Sequence, residues 1–331
     1  MKALLSTLAS LLGAGLMASA QPTFVVAADG SGDFLTVQEA INAAPDFLKE
    51  GGVSIYVRPG VYKEKVMIPP TKERIRLYGD NAATTVISWD DYAARPGSTG
   101  APMGTGATGT VYFCADDFLA ENITFANTAG EVGQACAAVI DADRVAFVSC
   151  VFEGNQDTIY TYGDGQRIYF KGCRIEGTTD FIFGYGTAWF EDCDIVSKRD
   201  SYVTAASTLQ GRQFGYVFYN CCFVHSDGVG RCYLGRPWRK YAKTVVINCF
   251  LDDHIRPEGW HDWGKDYAHK TAFYAEYGNS GPGTEGKRVA WANVLTARQA
   301  KEYSVERVMD AGAREDKNGN MIPVQWYYKV F

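Results

Sequence analysis

The sequence predicts an all-β protein wound as a parallel β-helix, a single-stranded solenoid with short capping helices at its ends. Three observations carry this. Short apolar segments recur as LAENITF, AFVSCVF, YFKGCRI, WFEDCDI, FYNCCF and VVINCFL, and their equivalent position runs Ile123, Cys150, Cys173, Cys193, Cys221, Cys249. The spacings of 27, 23, 20, 28 and 28 residues fit the loose period of a solenoid, with Gly, Asn and Asp separating the segments. All nine Cys lie between Cys114 and Cys249, and an odd number cannot all pair within one chain, so they read as small buried groups of a shared core. A β-sandwich with evenly spaced strands is the competing architecture, but sandwiches rarely keep one residue type at one place in successive repeats.

The elements follow in chain order. Residues 1–20, MKALLSTLASLLGAGLMASA, carry a lone cation at Lys2, an apolar run from Leu4 to Met17, and Ala18-Ser19-Ala20 ahead of Gln21. This is the pattern of a signal peptide with an A-x-A cleavage site, and it predicts an exported protein with one domain over 21–331. The product would be secreted and extracellular, or periplasmic in a Gram-negative bacterium. No later stretch reaches eighteen uninterrupted apolar residues, so no membrane anchor is expected. Thr36 to Ala43 reads as an N-terminal capping helix, since Thr36 and Glu39 have capping-box spacing and Pro45 stops the turn. The Gly/Pro/Ser/Thr-rich segment from Ala93 to Thr110 must be a loop. Thr296 to Val308 reads as a second helix, opened by Thr296 and Gln299. Cys221 and Cys222 are adjacent and point to opposite faces of a strand, so at most one enters the core.

Charge and motif content exclude several functions. The formal net charge of -6, about -7 once Lys2 is removed, argues against nucleic acid as a partner. The four His (His225, His254, His261, His269) form no metal-ligand spacing, so chemistry without metal or cofactor is expected. GTGATG (104–109) satisfies a dinucleotide pattern, but it follows a loop and precedes the β-like TVYF, which is the wrong context for cradling phosphate. Asn122-Ile-Thr124 is a glycosylation sequon whose Ile123 falls on a core repeat position, which favours a structural role.

Two carboxylates stand in apolar, Gly-flanked segments: Asp157 in GNQDTIY (154–160) and Asp180 in GTTDFIFGYG (177–186). Acidic groups there lose hydration unless a partner or a task retains them, so the pair reads as acid-base chemistry. Taken singly, each Asp is also a plausible turn residue.

Five ordered blocks, GVYKE (60–64), GQACAAV (133–139), GNQDTIY, DFIFG (180–184) and LGRPW (234–238), together resemble the pectin methylesterase (pectinesterase) family from about Val25 to Val308. The resemblance implies a right-handed parallel β-helix and hydrolysis of methyl esters of polygalacturonate (pectin). It matches Asp180 to the family nucleophile, Asp157 to the general acid and later base, and Gln134 and Gln156 to the oxyanion-stabilising amides. Arg236 would keep Asp180 ionised and oriented. Trp238, Tyr160 and Phe183 would line a sugar-binding cleft, with Thr110 near its edge. The implied partner is methyl-esterified homogalacturonan, acted on by a monomer.

Other residues read more plainly. Phe181 alternates away from Asp180 and belongs to the core. GVYKE is assigned to folding, with Gly60 as a turn and Tyr62 as a packed aromatic. HIRPEGWHDW (254–263) is a packed loop near the cleft that offers Trp260 or Trp263 as sugar contacts. TYGDGQ (161–166) lengthens a coil corner without moving either Asp. Two rival functions remain: a β-helix glycoside hydrolase using the same two Asp, and a non-catalytic polysaccharide-binding protein.

Overall fold

The computed structural model describes residues 22–310 and 326–328, so the segment read as a signal peptide lies outside the described residues. The chain forms a right-handed parallel β-helix. Its strands, all paired in parallel, build sheets of eleven, eight and seven members among the described residues. Each turn visits the three sheets in order. Arg167–Lys171 lies in the eleven-stranded sheet, Arg174–Gly177 in the eight-stranded sheet and Ile182–Gly184 in the seven-stranded sheet, before Thr187–Glu191 returns to the first. Among the described residues, no helix is long and apolar enough to cross a membrane.

The repeat seen in the sequence marks one corner of this coil. Ile123, Cys150, Cys173, Cys193, Cys221 and Cys249 are all buried in one core cluster. The residue before each of them, Asn122, Ser149, Gly172, Asp192, Asn220 and Asn248, has φ between 52° and 58°. A left-handed residue turns the chain from one sheet to the next in a single step, and Asn, Asp and Gly enter that region most readily. Asn122 of the sequon therefore serves as a corner. The thiols behind the corner are small enough to stack, and all nine cysteines are free. Cys221 is buried and Cys222 half-exposed, as their alternation requires.

Inside the coil, Phe147, Phe170, Phe190 and Phe218 are register partners on successive strands. Their rings stack at 5.0, 4.6 and 4.4 Å between centroids. Each ring contributes roughly 1.5–3 kcal/mol by burial. Stacking adds about 0.5–1.5 kcal/mol per pair.

The N-terminal helix, Val37–Ala43, has its reciprocal capping box between Thr36 and Glu39. Glu64 of GVYKE accepts from the Val37 and Gln38 amides at 2.8 and 3.0 Å, satisfying two more of the donors a helix start leaves open. That block therefore serves folding, although Gly60 opens the strand Gly60–Lys63 and is not a turn residue. The C-terminal helix differs from the sequence expectation. Ala297–Ala300 is capped by Thr296 and Gln299, the chain then breaks, and Val305–Asp310 starts afresh. Ser304 causes the restart, because its hydroxyl accepts from the Arg307 amide and so favours a cap over a helix interior.

Candidate active site

The seven-stranded sheet carries the site. Ile159 pairs with Ile182 across neighbouring coils, so Asp157 and Asp180, each two residues earlier, occupy the same position one coil apart. Both are left-handed, with φ of 67° and 50°. The Asp157 amide donates to the Thr179 carbonyl at 3.1 Å and the Asp180 amide to Tyr202 at 2.8 Å. These bonds fix two carboxylates at the entries of adjacent strands, and adjacent strands lie about 4.8 Å apart in any sheet. Gln134 and Gln156 bridge in parallel just ahead of them, with the Ala135 amide bonded to the Gln156 carbonyl at 3.0 Å.

Arg236 reaches this position from the Tyr233–Gly235 strand. Its Nε and Nη2 donate to the two oxygens of Asp180 at 2.9 and 2.7 Å. Its guanidinium lies 3.8 Å from the Tyr202 ring centre and 3.7 Å from that of Trp263. Lys265 ties the flanking loops together by donating to the Pro237 and Trp238 carbonyls, both at 2.8 Å. Two glycines let the coils close here. A Cβ on Gly184 would meet the Thr161 carbonyl oxygen at 2.1 Å, and one on Gly235 would meet Thr204 Oγ1 at 2.0 Å. The last residue of DFIFG and the glycine of LGRPW are thus packing requirements.

The electrostatics separate the two acids. Burial, then the neighbouring Asp180 charge, pushes Asp157 up to about 8, with Arg236 opposing. Burial also raises Asp180, but the two bonds from Arg236, its charge and that of Lys265 pull back, and the rise is smaller. Of the two, Asp157 is therefore the one that holds its proton more strongly.

These groups open onto a cleft of ≈ 490 Å³ lined by Gln134, Gln156, Asp157, Asp180 and Arg236 together with Tyr160, Phe183 and Trp238. Tyr160 and Phe183 stack at 4.2 Å, and Trp238 stands 5.7 Å from Phe183. Thr110 does not join them. It is fully buried just ahead of the strand Val111–Phe113 and donates to the Ala126 carbonyl at 2.9 Å. Phe181 is core, as its alternation predicts. Of the two tryptophans in 254–263, Trp263 lines the cleft, whereas Trp260 is buried with its indole donating to Glu276.

The pectinesterase family model matches residues 23–312. The chain belongs to the pectinesterase family. Pectinesterase 5 of Arabidopsis thaliana is 39% identical over 297 residues, covering 85% of this chain and 48% of that protein. The chain thus spans about half the length of this and several other curated pectinesterase relatives it matches. Pectinesterase 31 of the same plant is 38% identical over 285 residues, covering 84% of this chain and 89% of the relative. Among solved structures, the pectin methylesterase from carrot superposes with a TM-score of 0.80 at 34% identity, covering 88% of this chain and 93% of that one. A pectin methylesterase variant in complex with a hexasaccharide gives 0.78 at 29% identity, covering 88% and 98%.

Within this pectinesterase fold, sequence reasoning left several cleft residues unnamed. Tyr162 lines the cleft from the 161–166 insertion and packs edge-on against Tyr160 at 5.2 Å. The insertion is pinned by two Arg212–Asp164 bonds of 2.9 Å. Thr105 and Gly106 reach the cleft from the Gly-rich loop, and Ala205 from its strand. Tyr202, which packs against Arg236, and Lys265, which bonds to the two carbonyls that follow it, carry no local signal in the sequence. Only the stacking of coils brings them near.

Proposed function

We propose that this pectinesterase-family chain is a carbohydrate esterase that removes methyl esters from polygalacturonate, giving pectate and methanol. The observation that carries this reading is the asymmetric pair: Asp180 bonded through both oxygens to Arg236, beside Asp157 raised to about 8. Ester hydrolysis needs a nucleophile and a separate proton donor at one place, and the dyad supplies both at neutral pH.

An Asp180 oxygen attacks the ester carbonyl, keeping a lone pair free beyond its bond to Arg236. Charge moves to the carbonyl oxygen, where the side-chain amides of Gln134 and Gln156 donate without adding charge of their own. As the tetrahedral adduct collapses, the carbon–methoxy bond breaks. Asp157 gives its proton to the departing oxygen, and methanol leaves. The resulting acyl-enzyme is an anhydride on Asp180. Asp157, now ionised, takes a proton from a water that attacks the same carbonyl and frees the galacturonate and Asp180. Tyr160, Phe183 and Trp238 offer flat faces to the sugar rings.

The names of the relatives support pectin as the substrate class, and the hexasaccharide bound to a solved relative supports an extended sugar chain in the cleft. Action on such a polymer would be extracellular, in keeping with the apolar leader read at residues 1–20. The test is to incubate the full-length protein with highly methylated pectin and measure methanol and new reducing ends in the same sample. Methanol without reducing ends supports the esterase. Reducing ends without methanol would replace it with a glycoside hydrolase, and neither product would leave a binding protein.

A further inference from the structure

Away from the cleft, on the edge formed by the eight-stranded sheet, a His and two Asp converge. The strand Cys222–His225 pairs with Phe250–Leu251, Cys222 lying opposite Phe250, and continuing this offset sets His225 opposite Asp253. The ligand-type atoms of His225, Asp252 and Asp253 all lie within 4.8 Å of one another. His225 Nε2 stands 3.1 Å from Asp253 Oδ1 and 3.9 Å from Asp252 Oδ2. Ligands around a tetrahedral zinc ion, at about 2.0–2.1 Å from the metal, stand roughly 3.4 Å apart.

The hydrogen bonding shows which group these side chains suit. His225 Nδ1 lies 2.8 Å from the Ser226 carbonyl, which only accepts, so the ring proton sits on Nδ1. Its other nitrogen then presents a lone pair to two carboxylates that can only accept as well. Either a second proton or a metal cation must stand between them. An Nδ1–H bound to a backbone carbonyl is also how proteins orient a metal-binding imidazole. Asp252 is prepared in the same sense: its Oδ1 accepts the Asp253 amide at 2.9 Å, leaving Oδ2 toward His225.

A second imidazole lies against the first without joining its converging ligand atoms. His254 is fully buried, its ring centre 4.8 Å from that of His225, and neither of its nitrogens has a hydrogen-bond partner. A buried imidazole with an unspent lone pair is costly unless something accepts it. The turn holding these groups is anchored on both sides, by the Asp252 amide on Phe223 and the Cys232 amide on the His254 carbonyl.

We propose that His225, Asp252 and Asp253 form a structural binding site for a divalent transition metal of the zinc type. Imidazole with carboxylate suits zinc better than calcium or magnesium, which prefer all-oxygen shells. A bound ion would clip the start of the 254–263 segment to the edge of the coil. That segment bridges Gly235 through Trp260 and ends at Trp263 against Arg236, so the clip would steady the loop behind the cleft without entering the chemistry.

The experiment is calorimetric titration of ZnCl2 into metal-free full-length protein at pH 7.5, with thermal melting alongside. Wild type should bind one equivalent saturably and melt higher with zinc. His225→Ala and the isosteric Asp253→Asn should each weaken binding at least tenfold and lose the thermal shift, while Asp157→Asn leaves both intact. Absence of saturable binding by wild type, or binding unchanged in both site variants, would overturn the proposal and leave an imidazolium–carboxylate contact in its place.

Discussion

Arg236 holds Asp180 through two parallel bonds of 2.9 and 2.7 Å while its own plane is held between the rings of Tyr202 and Trp263. The carboxylate is thus fixed in direction as well as in charge. Asp180→Asn should abolish methanol release while leaving the fold and affinity for a galacturonate oligomer in place, since only the nucleophilic charge is lost. Activity within tenfold of wild type would remove Asp180 from the reaction.

Arg236→Lys tests the clamp. Lysine keeps the charge but offers neither the fork nor the flat face. The expected result is a fall of about 10²-fold in kcat, with an acid limb displaced to higher pH because Asp180 loses a group that pulls its pKa down. A purely structural role would lower melting temperature without moving that limb.

The dyad predicts the alkaline behaviour. In the proposed mechanism Asp157 must carry a proton to release methanol, so the rate of acylation should fall as pH rises through about 8. Stability moves in the same direction. Below the unfolded carboxyl range, near 4, both states are protonated and burial exacts no charge penalty. As pH rises from there to about 8, the unfolded chain ionises while folded Asp157 resists, and stability is progressively lost. Asp157→Asn should therefore become more stable than wild type across this window, by about 2–5 kcal/mol at its upper end in chemical denaturation.

Replacing either Gln134 or Gln156 by Ala should lower kcat by about 10²- to 10³-fold with KM changed only a few-fold. Equal losses in binding and turnover would instead make them ground-state contacts.

The stacked phenylalanines predict where stability resides. Phe190 is fully buried between Phe170 and Phe218. Phe190→Ala should cost about 3–5 kcal/mol in denaturant unfolding, while ester hydrolysis under native conditions persists, because the ring faces away from the cleft.

The coil and its chemistry were legible in the sequence to different depths. The solenoid could be read because its corners repeat a small polar residue before a Cys or Ile, a pattern that survives uneven spacing. Asp157, Asp180 and Arg236 could be found because each lies in a distinctive block. Tyr202 and Lys265 could not, since Tyr202 meets Arg236, and Lys265 the carbonyls of Pro237 and Trp238, only through the stacking of coils. The same blindness hid His225 opposite Asp253, 28 positions later. Thr110 misled because only the family resemblance placed it near the cleft edge, while its hydroxyl in fact serves an interior carbonyl. The break after Ala300 was missed because Ser304 sits within an otherwise helical pattern and acts as a cap.

Because Asp157 and Asp180 occupy one backbone address on consecutive turns, the coil acts as a ruler graduated in whole steps. The distance between the two carboxylates cannot be adjusted by loop length, so a longer corner at 161–166 leaves it unchanged. It could change only by a full strand spacing, about 4.8 Å, and at two steps no single ester carbonyl would reach both acids. Evolution at this site is therefore free to remodel the walls and the loops, but not the interval.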